Sequence, residues 1–352
     1  MSTGVMRKAQ RLRAGDTVAA ISLSWGGPGT FPQRYEIGKT QLEDAFGVRV
    51  VPTRHALRDA TWLSNNPQAR ADDLMEAFAD SAIRGIVSTI GGDDSLRIIR
   101  HVDPAVIAAN PKVFLGYSDT TVSHLLCYKA GLVTFYGPAI MAGFAENGGP
   151  FSYMVDSVRA SCFSSSPIGR IAPNADGWTV ERIPWADRAN QQRKRQLTPS
   201  TGWKFLQGSG VRIGRLFGGC LEVLEWLRGT PVWPEVDALR GAMLFLETSE
   251  EAPPPSSISR ALRSFAAMGI LRHLSGILFA RPGGAVPPER FAEYDRAILR
   301  VVAEEEGLSS LPIITNMDFG HTDPMFVVPY GVAARIDCDR EEFEVTESAV
   351  VD

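Results

Sequence analysis

Lys112-Val113-Phe114-Leu115-Gly116-Tyr117-Ser118-Asp119-Thr120 is the stretch on which the fold turns. Its opening is short and apolar, the pattern of a buried strand, and Thr121 to Lys129 reads as the first turns of a helix. A serine between the two stands on a sharp strand-to-helix turn. Its hydroxyl is lifted clear of the sheet, and the amides of the helix start point to the same spot, which is the nucleophile-elbow geometry. A serine in that place also serves as a plain helix cap. Five residues do not separate the two readings, because Gly-x-Ser-x-Thr is a common pattern.

The residues around this turn repeat its rhythm. Thr17 to Ser22 is a β-rich apolar run followed by a Gly-Gly-Pro-Gly loop at Gly26 to Gly29, and Arg34 to Phe46 has helical periodicity. Val48 to Val51 reads as a strand, Gln68 to Ala79 as a helix, and Gly85 to Ile90 as a buried strand ending in Gly91-Gly92-Asp93-Asp94-Ser95. Leu96 to His101 begins another helix, and Leu132 to Tyr136 closes the series. Strands alternating with helices of this size predict βαβ units and a parallel sheet covered on both faces. Ligands of such sheets bind beyond the carboxyl ends of the strands, so the Gly91–Ser95 loop and Ser118 are expected to share one crevice.

With 352 residues the chain exceeds one typical core, and two domains are expected. A net charge of -4 gives no support for nucleic-acid binding. Cys127, Cys162, Cys220 and Cys338 are far apart, so neither a zinc framework nor a disulfide scaffold is indicated, and a reducing, cytoplasmic setting is expected. Met1 to Gly15 is polar and basic without an apolar secretion segment, and no membrane-length apolar run is present. No histidine or cysteine cluster has metal-ligand spacing, so no metal or cofactor is expected.

The domain scheme read from the sequence is 1–165 as an N-terminal Rossmann-like domain, 166–210 as linker and recognition loop, and 211–352 as a C-terminal domain. Arg182 to Lys204 holds six basic residues and one acid, with Trp185 and Trp203 in the same window. A long loop in a compact protein is functional or disordered. Here it reads either as a solvated basic loop or as a lid whose cations meet an anion and whose tryptophan stacks on a flat ring. Further on, Gly214 to Gly219 leads into the apolar helix Cys220 to Leu227, and Ala242 to Leu246 is a strand delivering Glu247. Ser256 to Met268 is an amphipathic helix, Gly276 to Ala280 a strand ending at Arg281, and Arg290 to Glu306 a charged surface helix. Leu311 to Thr315 leads to Asn316-Met317-Asp318-Phe319-Gly320-His321, and Phe326 to Val345 has the look of paired strands.

A serine hydroxyl needs a base, and the base needs an orienting acceptor. His55, His101 and His273 read as surface or capping residues. His124 is only six residues from Ser118, but about 600° of helical rotation carries it away from the elbow. His321 remains, in a glycine-containing loop after a strand. Glu247 ends an apolar run, where a carboxylate is costly to bury unless paired, and a histidine is a natural partner. Glu250 and Glu251 are expected to face solvent. Spacing alone leaves this triad open.

Three blocks then add a resemblance. Gly116-Tyr117-Ser118-Asp119-Thr120-Thr121, the Leu246-Glu247 strand end and Gly320-His321-Thr322-Asp323-Pro324-Met325, in that order, resemble the signature blocks of the LD-carboxypeptidase family of serine peptidases. The likeness runs from the Ser22–Gly29 loop to Pro329-Tyr330-Gly331. It implies an α/β fold: an N-terminal Rossmann-like parallel sheet with helices on both faces, plus a smaller C-terminal mixed α/β domain, often in a homodimer. It also implies Ser118 as nucleophile, Glu247 as orienting carboxylate and His321 as base, with an oxyanion hole at the amides of Gly92 and Asp119. Asp93, Trp185, Cys220 and Arg281 are placed at the substrate.

The family has a murein-trimming branch and a microcin C immunity branch. The second cleaves the amide between a C-terminal aspartate and a modified nucleotide. The Gly91–Ser95 loop, the Trp185 loop and His321–Met325 resemble the second branch, in which a loop aromatic stacks on adenine. The chain departs from the family at Cys220, where asparagine is usual, and at Glu251-Ala252, where a family lysine finds no match. The expected partner is a small peptide or aminoacyl-nucleotide substrate. A murein tetrapeptide, or nucleotide binding without catalysis, are the alternatives, and an intact triad argues against the last.

Overall fold

The computed structural model describes residues 6–352; the first five residues of the polar Met1–Gly15 stretch lie outside it. Two sheets carry the molecule. The first has six strands in the order Val328–Pro329, Phe135–Tyr136, Val113–Gly116, Ile83–Ser88, Thr17–Ile21, Arg49–Pro52. All neighbours run parallel except Val328–Pro329, which pairs antiparallel with Phe135–Tyr136. The central strands Thr17–Ile21 and Val113–Gly116 are buried at every residue, as a sheet covered by helices on both faces requires. The long helix Pro32–Phe46 starts with proline in its first turn and stops at Gly47, whose φ of 68° ends it in the left-handed conformation.

The second sheet has eight strands: Gly169–Ile171, Glu342–Val345, Ala333–Asp337, Val211–Cys220, Ala242–Glu247, Gly276–Ala280, Ile313–Met317, Lys204–Gln207. Its four central strands, from Val211–Cys220 to Ile313–Met317, are parallel, and antiparallel strands flank them on both sides. The segment expected to be linker and loop therefore supplies both edge strands, Gly169–Ile171 and Lys204–Gln207. Those two strands bring the second sheet to eight, against six in the first. The sequence also hid most of Val211–Cys220, which holds Gly214, Gly218 and Gly219. Glycine weakens a strand by itself, but this one is paired on both sides, with Ala333–Asp337 and Ala242–Glu247.

Smaller differences lie at element ends. Leu96–His101 is part of a 3₁₀ segment, Ser95–His101. The charged helix Phe291–Leu299 widens into a π-type turn over Arg300–Glu305. Among the described residues, no helix is long and apolar enough to cross a membrane.

Each sheet ends its parallel strands toward the site. Ser118 follows Val113–Gly116, Glu247 ends Ala242–Glu247, and His321 comes shortly after Ile313–Met317. The last strand end is braced by Arg281, which is 1% exposed. Its guanidinium donates to Asp318 Oδ1 (2.8 Å) and to Thr322 Oγ1 (3.3 Å) and lies 4.8 Å from the Trp178 ring centre. Asp318 Oδ2 in turn accepts from Trp203 Nε1 (2.7 Å) and the Asn174 amide (3.1 Å). Removing one partner of a buried pair strands the other, at about 3–5 kcal/mol. Arg281→Ala is expected to lower the unfolding free energy by about that amount in a denaturant titration.

Candidate active site

Ser118 adopts φ 63°, a left-handed conformation that a non-glycine residue holds only when its surroundings impose it. Those surroundings are visible. The Ser118 amide donates to Tyr136 Oη at 3.0 Å, and His124 Nε2 donates to the Gly116 carbonyl at 2.8 Å. Thr134 hydroxyl supplies His124 Nδ1 at 2.8 Å, so His124 is a neutral imidazole locked in one tautomer. Burial lowers its pKa to about 3. His124 thus holds the backbone of the elbow and does not face Ser118, as the helix geometry predicted.

Across the site, Glu247 is fully buried. Its Oε1 accepts a short hydrogen bond from the Tyr136 hydroxyl, and its Oε2 lies 2.6 Å from His321 Nδ1. His321 Nε2 is 3.1 Å from Ser118 Oγ. Residues 203 positions apart in the chain are therefore in hydrogen-bonding contact, with the carboxylate on the far side of the ring. Two glycines make room. A Cβ on Gly320, which has φ 81°, would fall 2.6 Å from the Glu247 side chain; one on Gly91 would fall 2.8 Å from Ser118 Cβ. The Tyr117 ring covers His321 at 5.0 Å.

The remaining candidates separate clearly. Gly92 and Asp93 are exposed beside the elbow. The Gly92 and Asp119 amides have no acceptor among the described residues. The Asp119 side chain is buried and accepts from the Ser95 amide (2.9 Å) and hydroxyl (2.7 Å), which ties the Gly91–Ser95 loop to the elbow. Cys220 is 1% exposed, its amide donating to Thr121 Oγ1 and its thiol facing Glu222 at 3.5 Å. Burial pushes that thiol well above its ordinary pKa. Arg281, expected at the substrate, is buried inside the fold with its guanidinium on Asp318 and Thr322.

Trp185 is half-buried and its carbonyl accepts from Gln33 Nε2 at 3.1 Å. Its ring meets Phe31 edge-on at 5.8 Å, Phe31 meets Trp25 at 6.1 Å, and the Trp25 amide donates to Gly91 O at 3.2 Å. An aromatic row thus leads from the loop to the elbow. The Arg34 guanidinium lies 4.9 Å from the centre of the Trp185 ring. The loop itself is well anchored: Thr179 and Asp323 exchange both backbone bonds, at 2.7 and 3.0 Å. Most of its cations are spent on protein acids. Arg195 pairs with Glu146 and Asp323, Arg193 with Glu181, Lys204 with Asp295 and Arg182 with Glu250.

Tyr136, Arg34 and Glu250 were not anticipated. Tyr136 ends a strand of the first sheet, the same position that singled out Glu247, so the strand-end rule would have found it. Glu250, expected in solvent, puts Oε2 3.1 Å from His321 Nε2 while 46% of its side chain stays exposed. Burial pulls the His321 pKa down, but Glu247 and Glu250 outweigh it and raise it to about 10. A histidine pKa raised by folding contributes stability that is complete below about 6.5 and disappears as pH climbs to about 10. The stability gap between wild type and His321→Gln, measured by denaturant titration, is expected to shrink across that window as pH rises.

Known proteins share this arrangement of chain. Residues 18–137 match the LD-carboxypeptidase N-terminal domain and residues 213–336 the LD-carboxypeptidase C-terminal domain. The Escherichia coli microcin C7 self-immunity protein MccF is 29% identical, over 96% of this chain and 95% of its own. A Bacillus subtilis protein named "Probable murein peptide carboxypeptidase" is 27% identical over 97% of this chain and 95% of its own. Among solved structures, an MccF-like protein from Streptococcus pneumoniae in complex with AMP superposes with a TM-score of 0.85 at 30% identity, covering 95% of this chain and 99% of that one. MccF in complex with aspartyl sulfamoyl adenosine gives 0.84 at 27% identity, covering 98% and 99%. With both domains matched in order over more than half of its length, this chain belongs to the LD-carboxypeptidase family.

Proposed function

We propose that the protein is a serine amidase of the microcin C immunity type, which hydrolyses the amide joining an amino acid to a nucleotide. The observation that carries the chemistry is the contact chain Ser118 Oγ–His321 Nε2 and His321 Nδ1–Glu247 Oε2, at 3.1 and 2.6 Å. The nucleotide part is supported by Trp185 at the end of its aromatic row and by the AMP and aspartyl sulfamoyl adenosine complexes of the relatives.

Catalysis follows from the geometry. His321 Nε2 takes the Ser118 proton as Oγ attacks the scissile carbonyl, and Glu247 fixes the tautomer and stabilises the imidazolium. The Asp119 and Gly92 amides receive the oxyanion, at about 3–4 kcal/mol per donor. His321 then protonates the leaving nitrogen, and water, deprotonated by the same imidazole, releases the acyl group from Ser118. The reading includes a homodimer and a cytoplasmic setting, where the four free thiols stay reduced.

Ser118→Ala is expected to lower kcat on aspartyl sulfamoyl adenosine by on the order of 10⁴-fold or more, with an unchanged melting curve. Unchanged hydrolysis by that variant would rule out the serine mechanism. Trp185→Ala is expected to raise KM for the same compound about tenfold, since one base–aromatic stack contributes about 1–3 kcal/mol. A murein tetrapeptide assayed in parallel decides the branch: release of D-alanine alone, with the nucleoside untouched, would reverse the assignment.

A further inference from the structure

His321 carries a carboxylate on each nitrogen. Glu247 Oε2 is 2.6 Å from Nδ1, and Glu250 Oε2 is 3.1 Å from Nε2. Ser118 Oγ lies 3.1 Å from the same Nε2. That nitrogen holds at most one hydrogen, so Glu250 and Ser118 compete for it. A neutral imidazole hydrogen-bonded to Glu247 through Nδ1 would point its Nε2 lone pair at the Glu250 oxygen, and the two would repel. A protonated Nε2 instead makes a charge-assisted bond with it. The resting arrangement is therefore an imidazolium between two carboxylates, and such a group cannot accept the Ser118 proton. Turnover requires Glu250 to leave Nε2.

The surroundings of Glu250 indicate what draws it away. Its outer side meets Arg182 at 3.3 Å, a side chain that is itself 73% exposed, so Glu250 already accepts a cation from the solvent side. Below it, Glu222 accepts from the Ser249 amide (3.0 Å) and hydroxyl (2.6 Å) and fixes the base of the loop. Other charges near the ring are Asp323, Glu146, Arg34 and Arg195, with Arg195 paired to both acids, and the Tyr117 ring lies tilted against His321 at 5.0 Å. Around the ring the acids Glu247, Glu250, Glu222, Asp323 and Glu146 thus outnumber the cations Arg182, Arg195, Arg34 and the His321 imidazolium by one, and the balance favours one more cation. Reach is adequate as well. Two contacts through one nitrogen hold Glu250 Oε2 within about 6 Å of Ser118 Oγ. A reacting carbonyl carbon sits about 3–3.5 Å from that oxygen, and the α-nitrogen of the same acyl residue is two bonds further.

We infer that Glu250 is a specificity-determining residue: it binds the free α-ammonium of the acyl residue and, in moving to it, frees His321 Nε2 to act as base. The inference rests on the aminoacyl-nucleotide reading above and narrows it to unblocked aminoacyl nucleotides over their N-acylated, peptidyl counterparts. The titration of the pair agrees: the His321 bond holds the Glu250 carboxyl down to about 2, and Glu250 adds to the upward shift of His321.

The test compares kcat/KM for aspartyl sulfamoyl adenosine and its N-acetyl derivative, in wild type and Glu250→Gln. The pH profile of Ser118 labelling by a fluorophosphonate, which has no amine, is recorded for both proteins. Wild type is expected to favour the free amine by about tenfold or more, the worth of one hydrogen bond to a charged group. In Glu250→Gln the ratio is expected to fall to near one, and the acid limb of labelling to move to lower pH. Equal preference in the two proteins, or none in wild type, overturns the inference. If wild type cleaves neither compound, the nucleotide reading fails separately. The labelling limb then decides whether Glu250 restrains His321, and a limb shared by both proteins overturns that as well.

Discussion

One buried carboxylate holds the two halves of this protein in register. Glu247 has no solvent to stabilise its charge, so its oxygens must be satisfied by protein groups. One accepts from Tyr136 at the end of a strand in the first sheet, and the other lies against His321 from the second. Tyr136 also accepts from the Ser118 amide, so the same phenol touches the backbone of Ser118 and the carboxylate of Glu247. The strained backbone of Ser118, the ring of His321 and the two sheets thus meet around that one group. The short antiparallel pairing of Val328–Pro329 with Phe135–Tyr136 reinforces the junction by returning the chain to the first sheet just after the histidine loop.

The parallel strands were legible in the sequence because both their faces are buried. Thr17–Ile21, Ala242–Glu247 and Gly276–Ala280 are continuous apolar runs, and such runs show in composition alone. Ser118, Glu247 and His321 stood out as candidates for a related reason, since each lies at or just after such a run, but only the resemblance of their sequence blocks to the family joined the three into one triad. Val211–Cys220 was not, because its glycines are stabilised by two neighbouring strands that local propensity does not register. The edge strands Gly169–Ile171 and Lys204–Gln207 are short and only partly buried, so they resemble loop until their partners are known.

Side-chain partnerships were the least legible part. Arg281 and Trp185 both stood in plausible binding positions, at a strand end and in a long loop. Arg281 found Asp318 inside the fold, while Trp185 stayed half-buried beside Phe31 and Arg34. Likewise the basic run from Arg182 to Lys204 read either as a solvated loop or as a lid for an anion, yet Arg182, Arg195 and Lys204 meet acids from distant segments and Arg193 meets Glu181 nearby. Glu250 shows the converse: a residue expected in solvent, since it lies beyond the strand end, reaches the His321 ring, because the loop after Glu247 turns back toward it. What distinguishes these cases is the partner, and the partner lies tens to hundreds of positions away.

The most direct test of a covalent serine mechanism is mass spectrometry of enzyme quenched in acid during turnover of aspartyl sulfamoyl adenosine. A peptide containing Ser118 and carrying the mass of an aspartyl ester, absent from Ser118→Ala, is the predicted result. Continuing hydrolysis with every Ser118 peptide unmodified, and the acyl group found on another residue, would contradict it.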